Sequence, residues 1–220
     1  GTRSYFSQFV HGPVPSDWER DVPLDENLIG SAALGVHYPR GWGQASNTPF
    51  RFYKGQTFAG GVRVPFVLSW PDGLPRDADD SGVRRQYAYV TDLVPTLLEL
   101  AGVEAPTERH GKPAQSRDGV SAAGFLRDQA ASSDHTEQYA EFGGHRGFYR
   151  DGWKLLSLHR DPDRVDDPEW ELYDVTTDPA ETHDIAAEHP DVVAELARAW
   201  DEAAWRNTVF PLYDSPADQG

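Results

Sequence analysis

The sequence contains no cysteine and no methionine. Without thiols these 220 residues can form no disulfide, thiolate metal site or cysteine nucleophile, and composition leaves the cellular compartment open. Lysine is scarce: Lys54, Lys112 and Lys154 stand beside 17 arginines. Basic residues as a group are outnumbered 36 to 20 by acids, for a net charge of -16. Gripping a phosphate backbone takes a surplus of cations, so nucleic acid is not expected as a partner. No stretch approaches the roughly 18 to 20 apolar residues that a membrane-spanning helix needs, and no membrane association is expected. No signal peptide opens the chain, which begins Gly1-Thr2-Arg3. With no initiator Met, the expectation is that the true N-terminus, and any targeting signal, lies upstream.

What is present suits a folded domain. Hydrophobic residues make up 38% and charged residues 25%, enough for a sizeable core, while 17 prolines and 20 glycines call for many loops. Residues 1–46 mix aromatic and polar residues without sustained periodicity. They read as a long loop, with a short helix around Asp25 to Ala33. Val62 to Trp70 is an apolar run closed by Pro71-Asp72-Gly73, the pattern of a buried strand and a turn. In Tyr89 to Gly102, Asp92 is placed to cap a helix, Pro95 falls in its first turn and Gly102 stops it. Residues 103–135, rich in Pro, Gly, Ser and charge, read as a surface connection. Arg146 to His159 holds two apolar-aromatic runs about Asp151-Gly152, a hairpin signal. Trp170 to Val175 alternates as a short strand. Pro190 opens a helix whose Val192, Leu196, Ala199, Trp200 and Ala203 form one apolar stripe. The expected organisation is α/β: residues 1–105 ending an α/β domain, 106–135 connecting, and 136–220 a small antiparallel sheet with a packed helix.

Four segments, in this order and spacing, resemble the sulfatase family, specifically its arylsulfatase type. They are Asn47-Thr48-Pro49-Phe50-Arg51-Phe52-Tyr53-Lys54, Phe58-Ala59-Gly60-Gly61-Val62-Arg63-Val64-Pro65, Val90 to Gly102, and Asp151-Gly152-Trp153-Lys154-Leu155 followed by Glu171-Leu172-Tyr173-Asp174. Asp118 to Ser121 and Asp178 to Asp184 fit the same pattern, whereas Tyr89 stands where the family often has His. The resemblance implies the alkaline phosphatase-like sulfatase fold and hydrolysis of a sulfate ester, releasing an alcohol or phenol and inorganic sulfate. It also implies a formylglycine made from a Cys-x-Pro-x-Arg cysteine and a calcium ion, both expected upstream of Gly1. A missing N-terminal half of the same protein is then the expected partner, a sulfate-ester small molecule the expected ligand, and a chain without its nucleophile is expected to be inactive alone. Phosphodiester or phosphonate hydrolysis within the wider superfamily, and a non-catalytic structural domain, remain alternative readings.

Carried over residue by residue, the family pattern matches Lys54 to the lysine that contacts the sulfate. Negative charge grows on the bridging oxygen as the sulfur–oxygen bond breaks, and a fixed ammonium stabilises it. Gly60 and Gly61 would let the adjoining backbone turn sharply and approach a ligand. His37 and Trp42 are candidates to line a substrate pocket, with His145 a weaker one. His110, His135, His183 and His189 have no metal-ligand spacing, and no metal ligand is assigned within the chain. The acid pairs Asp79-Asp80 and Asp166-Asp167 suit a hard cation, or plain solvated surface.

Overall fold

The computed structural model describes residues 40–74, 76–159 and 168–210. His37, the helix expected around Asp25 to Ala33, most of the expected N-terminal loop and Asp166-Asp167 lie outside the described residues. A four-stranded antiparallel meander organises the C-terminal part: β3 (Glu137–Phe142), β4 (His145–Arg150), β5 (Trp153–Ser157) and β6 (Glu171–Asp174), hydrogen-bonded in that order. The hairpin at Asp151-Gly152 forms as the sequence indicates. Both residues have positive φ, 47° and 92°, the backbone that matches a tight two-residue turn to the twist of its strands.

Side chains alternate across this sheet, and both of its faces are used. Tyr139, Phe148, Leu155 and Leu172 are register partners in one row across the four strands. Against that face packs α5 (Pro190–Arg206), which buries Leu196, Trp200, Ala203 and Ala204, as its apolar stripe requires. Pro190 occupies the start of the helix, where its missing N–H costs nothing. The neighbouring residues Leu156 and Tyr173 point to the opposite face, where Phe58 joins them in a second buried cluster.

Elements before the sheet are short. They are α1 (Arg40–Asn47), the single turn α2 (Ala59–Val62), a 3-10 turn at Val90–Asp92 leading into α3 (Leu93–Ala101), a two-residue hairpin β1 (Glu108–Arg109) and β2 (Lys112–Pro113), and α4 (Ala123–Arg127). Residues 40–46, expected as loop, are therefore helical. Gly102 ends α3 at φ 65°, as expected, its N–H and that of Val103 closing the last carbonyls. Asp92 does not cap α3 from outside. Its carboxylate reaches back to the Tyr89 N–H at 2.7 Å, across to the Val120 N–H at 2.9 Å, and to His135 Nδ1 at 2.8 Å. This cross-link explains why residues 103–135 are more than a surface connection: they bury Ala123, Phe125 and His135.

The strand expected at Val62 to Trp70 does not form. Residues 63–70 have no regular structure, and Val64, Phe66 and Val67 are exposed. A strand needs a neighbour to take up its backbone hydrogen bonds, and among the described residues none lies beside it.

Candidate functional site

The second face of the sheet positions Lys54. Gly147 in β4 leaves room there for Thr57, since a Cβ on Gly147 would lie 3.2 Å from Thr57 Cβ, and the Thr57 hydroxyl donates to the Arg146 carbonyl at 2.9 Å. Phe58, fully buried, packs on Leu156 and Tyr173, with the Arg51 guanidinium 4.3 Å over its ring. Two anchors thus lie just after Lys54.

The loop Arg51 to Ala59 closes on itself through the Gly60 N–H donating to the Arg51 carbonyl at 2.9 Å. A Cβ on Gly60 would fall 2.3 Å from the carbonyl oxygens of Arg51 and Phe52, and one on Gly61 2.1 Å from that of Gln56. Glycine is required here because backbone meets backbone, rather than for a sharp turn at positive φ. From outside, α1 buttresses the loop: Asn47 Nδ2 donates to the Phe52 and Gly60 carbonyls, each at 2.9 Å, and Gln44 Oε1 accepts from the Phe52 N–H at 2.8 Å.

Beneath the loop lies a buried polar network. Glu181, 1% exposed, pairs through Oε1 with the Lys154 ammonium on β5 and accepts the Ala59 N–H on Oε2 at 2.7 Å. A carboxylate this deep needs both partners to offset its lost hydration. Burial pushes Lys154 below its ordinary pKa while Glu181 pulls it back up. Arg51 donates to the Glu181 carbonyl at 2.8 Å and to the Tyr173 hydroxyl at 2.9 Å. Tyr173, its pKa raised by burial and by Glu171, remains a donor to Glu171 at 2.5 Å.

At the far end of this support Lys54 is exposed, with no ion pair to any described residue. The residues after it, Gly55, Gln56 and Thr57, form one wall of a cleft of about 510 Å³ whose other wall is β3 from Gln138 to Phe142. Gln56, which lines this cleft, has its buried Oε1 without a hydrogen-bond partner among the described residues. The arrangement is a cation without an ion pair among the described residues, on a loop tied by hydrogen bonds, next to residues that line a partly polar groove.

The other candidates fare differently. Trp42 sits on α1, which contacts the Lys54 loop, but its own side chain is 65% exposed and Gly43 is the residue packed against Tyr53. His145 Nδ1 accepts the His159 N–H at 2.9 Å, and burial together with His159 lowers its pKa, so this nitrogen is committed to the backbone just after β5. Asp80 is taken by Arg84 in a two-point ion pair at 2.7 and 2.8 Å that lowers its pKa to about 2, so Asp80 is already committed to a side-chain cation. Among the described residues no group of three or more His, Asp or Glu converges as metal ligands would. With no cysteine in the chain either, these residues fit neither a calcium ion nor a formylglycine precursor.

Arg51, Lys154 and Glu181 all lay within the segments that carried the sequence resemblance, yet none was legible as a site residue. Only the meander, by placing β5 and the Asp178 to Asp184 turn under the loop, brings them together.

Residues 50–209 match the family described as N-sulphoglucosamine sulphohydrolase, C-terminal. An uncharacterized sulfatase of Schizosaccharomyces pombe is 30% identical over 181 residues, covering 80% of this chain and 30% of its own length. The N-acetylglucosamine-6-O-sulfatase of Bacteroides thetaiotaomicron is 29% identical over 147 residues, 64% of this chain and 24% of its own. The arylsulfatase of Klebsiella aerogenes is 29% identical over 114 residues, 51% and 24% respectively. The chain thus spans about a third or less of the relatives it matches. Among solved structures, Ps i-CgsB superposes with a TM-score of 0.57 at 22% identity, over 79% of this chain and 36% of its own.

Proposed function

Since the chain belongs to the sulfatase family, as its C-terminal portion with the alkaline phosphatase-like fold, we propose that it serves an enzyme hydrolysing sulfate monoesters of the aryl type, with Lys54 in the catalytic site. The observation that supports this reading is the placement of Lys54: an exposed ammonium, without an ion pair among the described residues, on a loop tied from both sides whose next three residues line a cleft. In such a position a cation meets the negative charge that develops on the ester oxygen as its bond to sulfur breaks and the oxygen leaves to become the alcohol or phenol. A charge already held in place costs no reorganisation at that moment. Trp42 and His37 stay in the proposal as pocket-wall residues.

Formylglycine, which the family implies, would have to be supplied from outside this cysteine-free chain, and calcium by ligands outside the described residues; no step is assigned to either. The partner proposed is accordingly the remainder of the α/β domain in the same protein. Two apolar features await it. One is the irregular apolar run that follows α2 as far as Trp70, and the other is the stripe of Val90, Val94, Leu97 and Ala101 along α3 and the turn before it, spaced three and four residues apart and exposed throughout.

The test is hydrolysis of 4-nitrophenyl sulfate by the full-length protein. Replacing Lys54→Ala is expected to lower kcat/KM by at least about tenfold, the loss of one fixed transition-state charge. Unchanged turnover would remove Lys54 from the mechanism, and a strong preference for 4-nitrophenyl phosphate over the sulfate would favour the phosphohydrolase reading.

A further inference from the structure

Glu181 touches both limbs of the loop that carries Lys54. Its backbone carbonyl accepts from Arg51, three residues before Lys54, and its carboxylate accepts from the Ala59 N–H, five residues after. The two contacts span a loop whose base is already closed by Gly60 and Arg51. Holding both requires an uncommon backbone, since Glu181 has φ 58°, in the left-handed region that a non-glycine residue seldom occupies. Directing the carboxylate inward also requires a counter-charge, which Lys154 provides from the middle of β5. Of the three lysines in the chain, one is thus the proposed catalytic cation, and another neutralises the acid that braces it.

Resting on the sulfatase reading above, we propose that Glu181, with Lys154 as its buried counter-ion, is a positioning residue for Lys54. Glu181 fixes the loop so that the Lys54 ammonium stands where charge develops, and it contacts no substrate. The carboxylate does this better than a neutral amide, because a charged acceptor holds the Ala59 N–H more strongly and keeps Lys154 satisfied. Loosening a catalytic group by as little as about 1 Å can cost a hundredfold in rate, so bracing of this kind is expected to appear in kcat.

A double-mutant cycle in the full-length protein, with 4-nitrophenyl sulfate as substrate, separates positioning from general stability. Glu181→Ala alone is expected to reduce kcat at least about tenfold with a much smaller change in KM, and Glu181→Gln to fall between it and the wild type. In a Lys54→Ala background the further effect of Glu181→Ala is expected to shrink to about twofold or less, since the group it positions is gone. If the two losses multiply instead, Glu181 does not act through Lys54 and the inference is overturned while the sulfatase reading stands. If Lys54→Ala costs nothing, the assignment of Lys54 fails and takes the inference with it. Should Glu181→Ala not fold, Glu181→Gln and Lys154→Met run through the same cycle, and multiplicative losses there overturn the inference equally.

Discussion

Replacing Phe58→Ala isolates the contribution of the sheet's second face. Phe58 is fully buried among Phe52, Leu156 and Tyr173, with Arg51 above its ring. Exchanging phenyl for methyl withdraws roughly 100 Å² of apolar surface from the contact, or about 2.5 kcal/mol at ~25 cal/mol per Å². Losing the guanidinium–ring contact adds about 0.5–1 kcal/mol, and the cavity left behind adds more, so the total should fall in the ~3–5 kcal/mol range usual for Phe→Ala. The damage should be local, because the opposite core around Trp200 and Leu155 does not use Phe58. Amide hydrogen exchange on the full-length protein reads this out. The Ala59 and Gly60 amides, bonded to Glu181 and Arg51, should exchange at least about a hundredfold faster, while those of β4 and β5 keep most of their protection. Unchanged protection at Ala59 and Gly60 would refute the idea that Phe58 pins the loop, and equal loss across β4 and β5 would refute the independence of the two faces.

Two further outcomes follow from the fold. Gly152→Ala should destabilise the full-length protein by about 1–2 kcal/mol in urea denaturation, because φ of 92° strains any side chain. The added Cβ would also meet Thr176 Cγ2 at 2.6 Å, and a neutral result would mean that the hairpin relaxes without cost. The isolated 220-residue chain should bind a hydrophobic dye such as ANS and melt without a sharp transition, since Val64, Phe66, Val67, Val94 and Leu97 are each exposed. A sharp two-state melt with no dye binding would show that these side chains need no cover.

Features set by local chemistry were legible from the order of residues alone. The Asp151-Gly152 hairpin, the alternating strand Glu171–Asp174, the glycine stop of α3 and the amphipathic helix opening at Pro190 each depend on residues close together in the chain, and each formed where the pattern indicated. The family resemblance also pointed to Lys54, whose role stays the proposal above; the exposed ammonium alone is indistinguishable from any surface lysine. Where a partner far along the chain decides the outcome, the pattern was insufficient. Val62 to Trp70 reads as a buried strand because its residues are apolar, but a strand exists only beside another, and none of the described residues provides one. Asp92 reads as a cap, yet its carboxylate is drawn off to Tyr89, Val120 and His135. Glu181 reads as one acid among 36, and becomes a buried brace only when the meander sets Lys154 and the Ala59 amide on either side of it. Periodicity records which face a residue prefers. What stands across from that face depends on how distant segments pack, and it is the opposing group that turns a charge into a constraint.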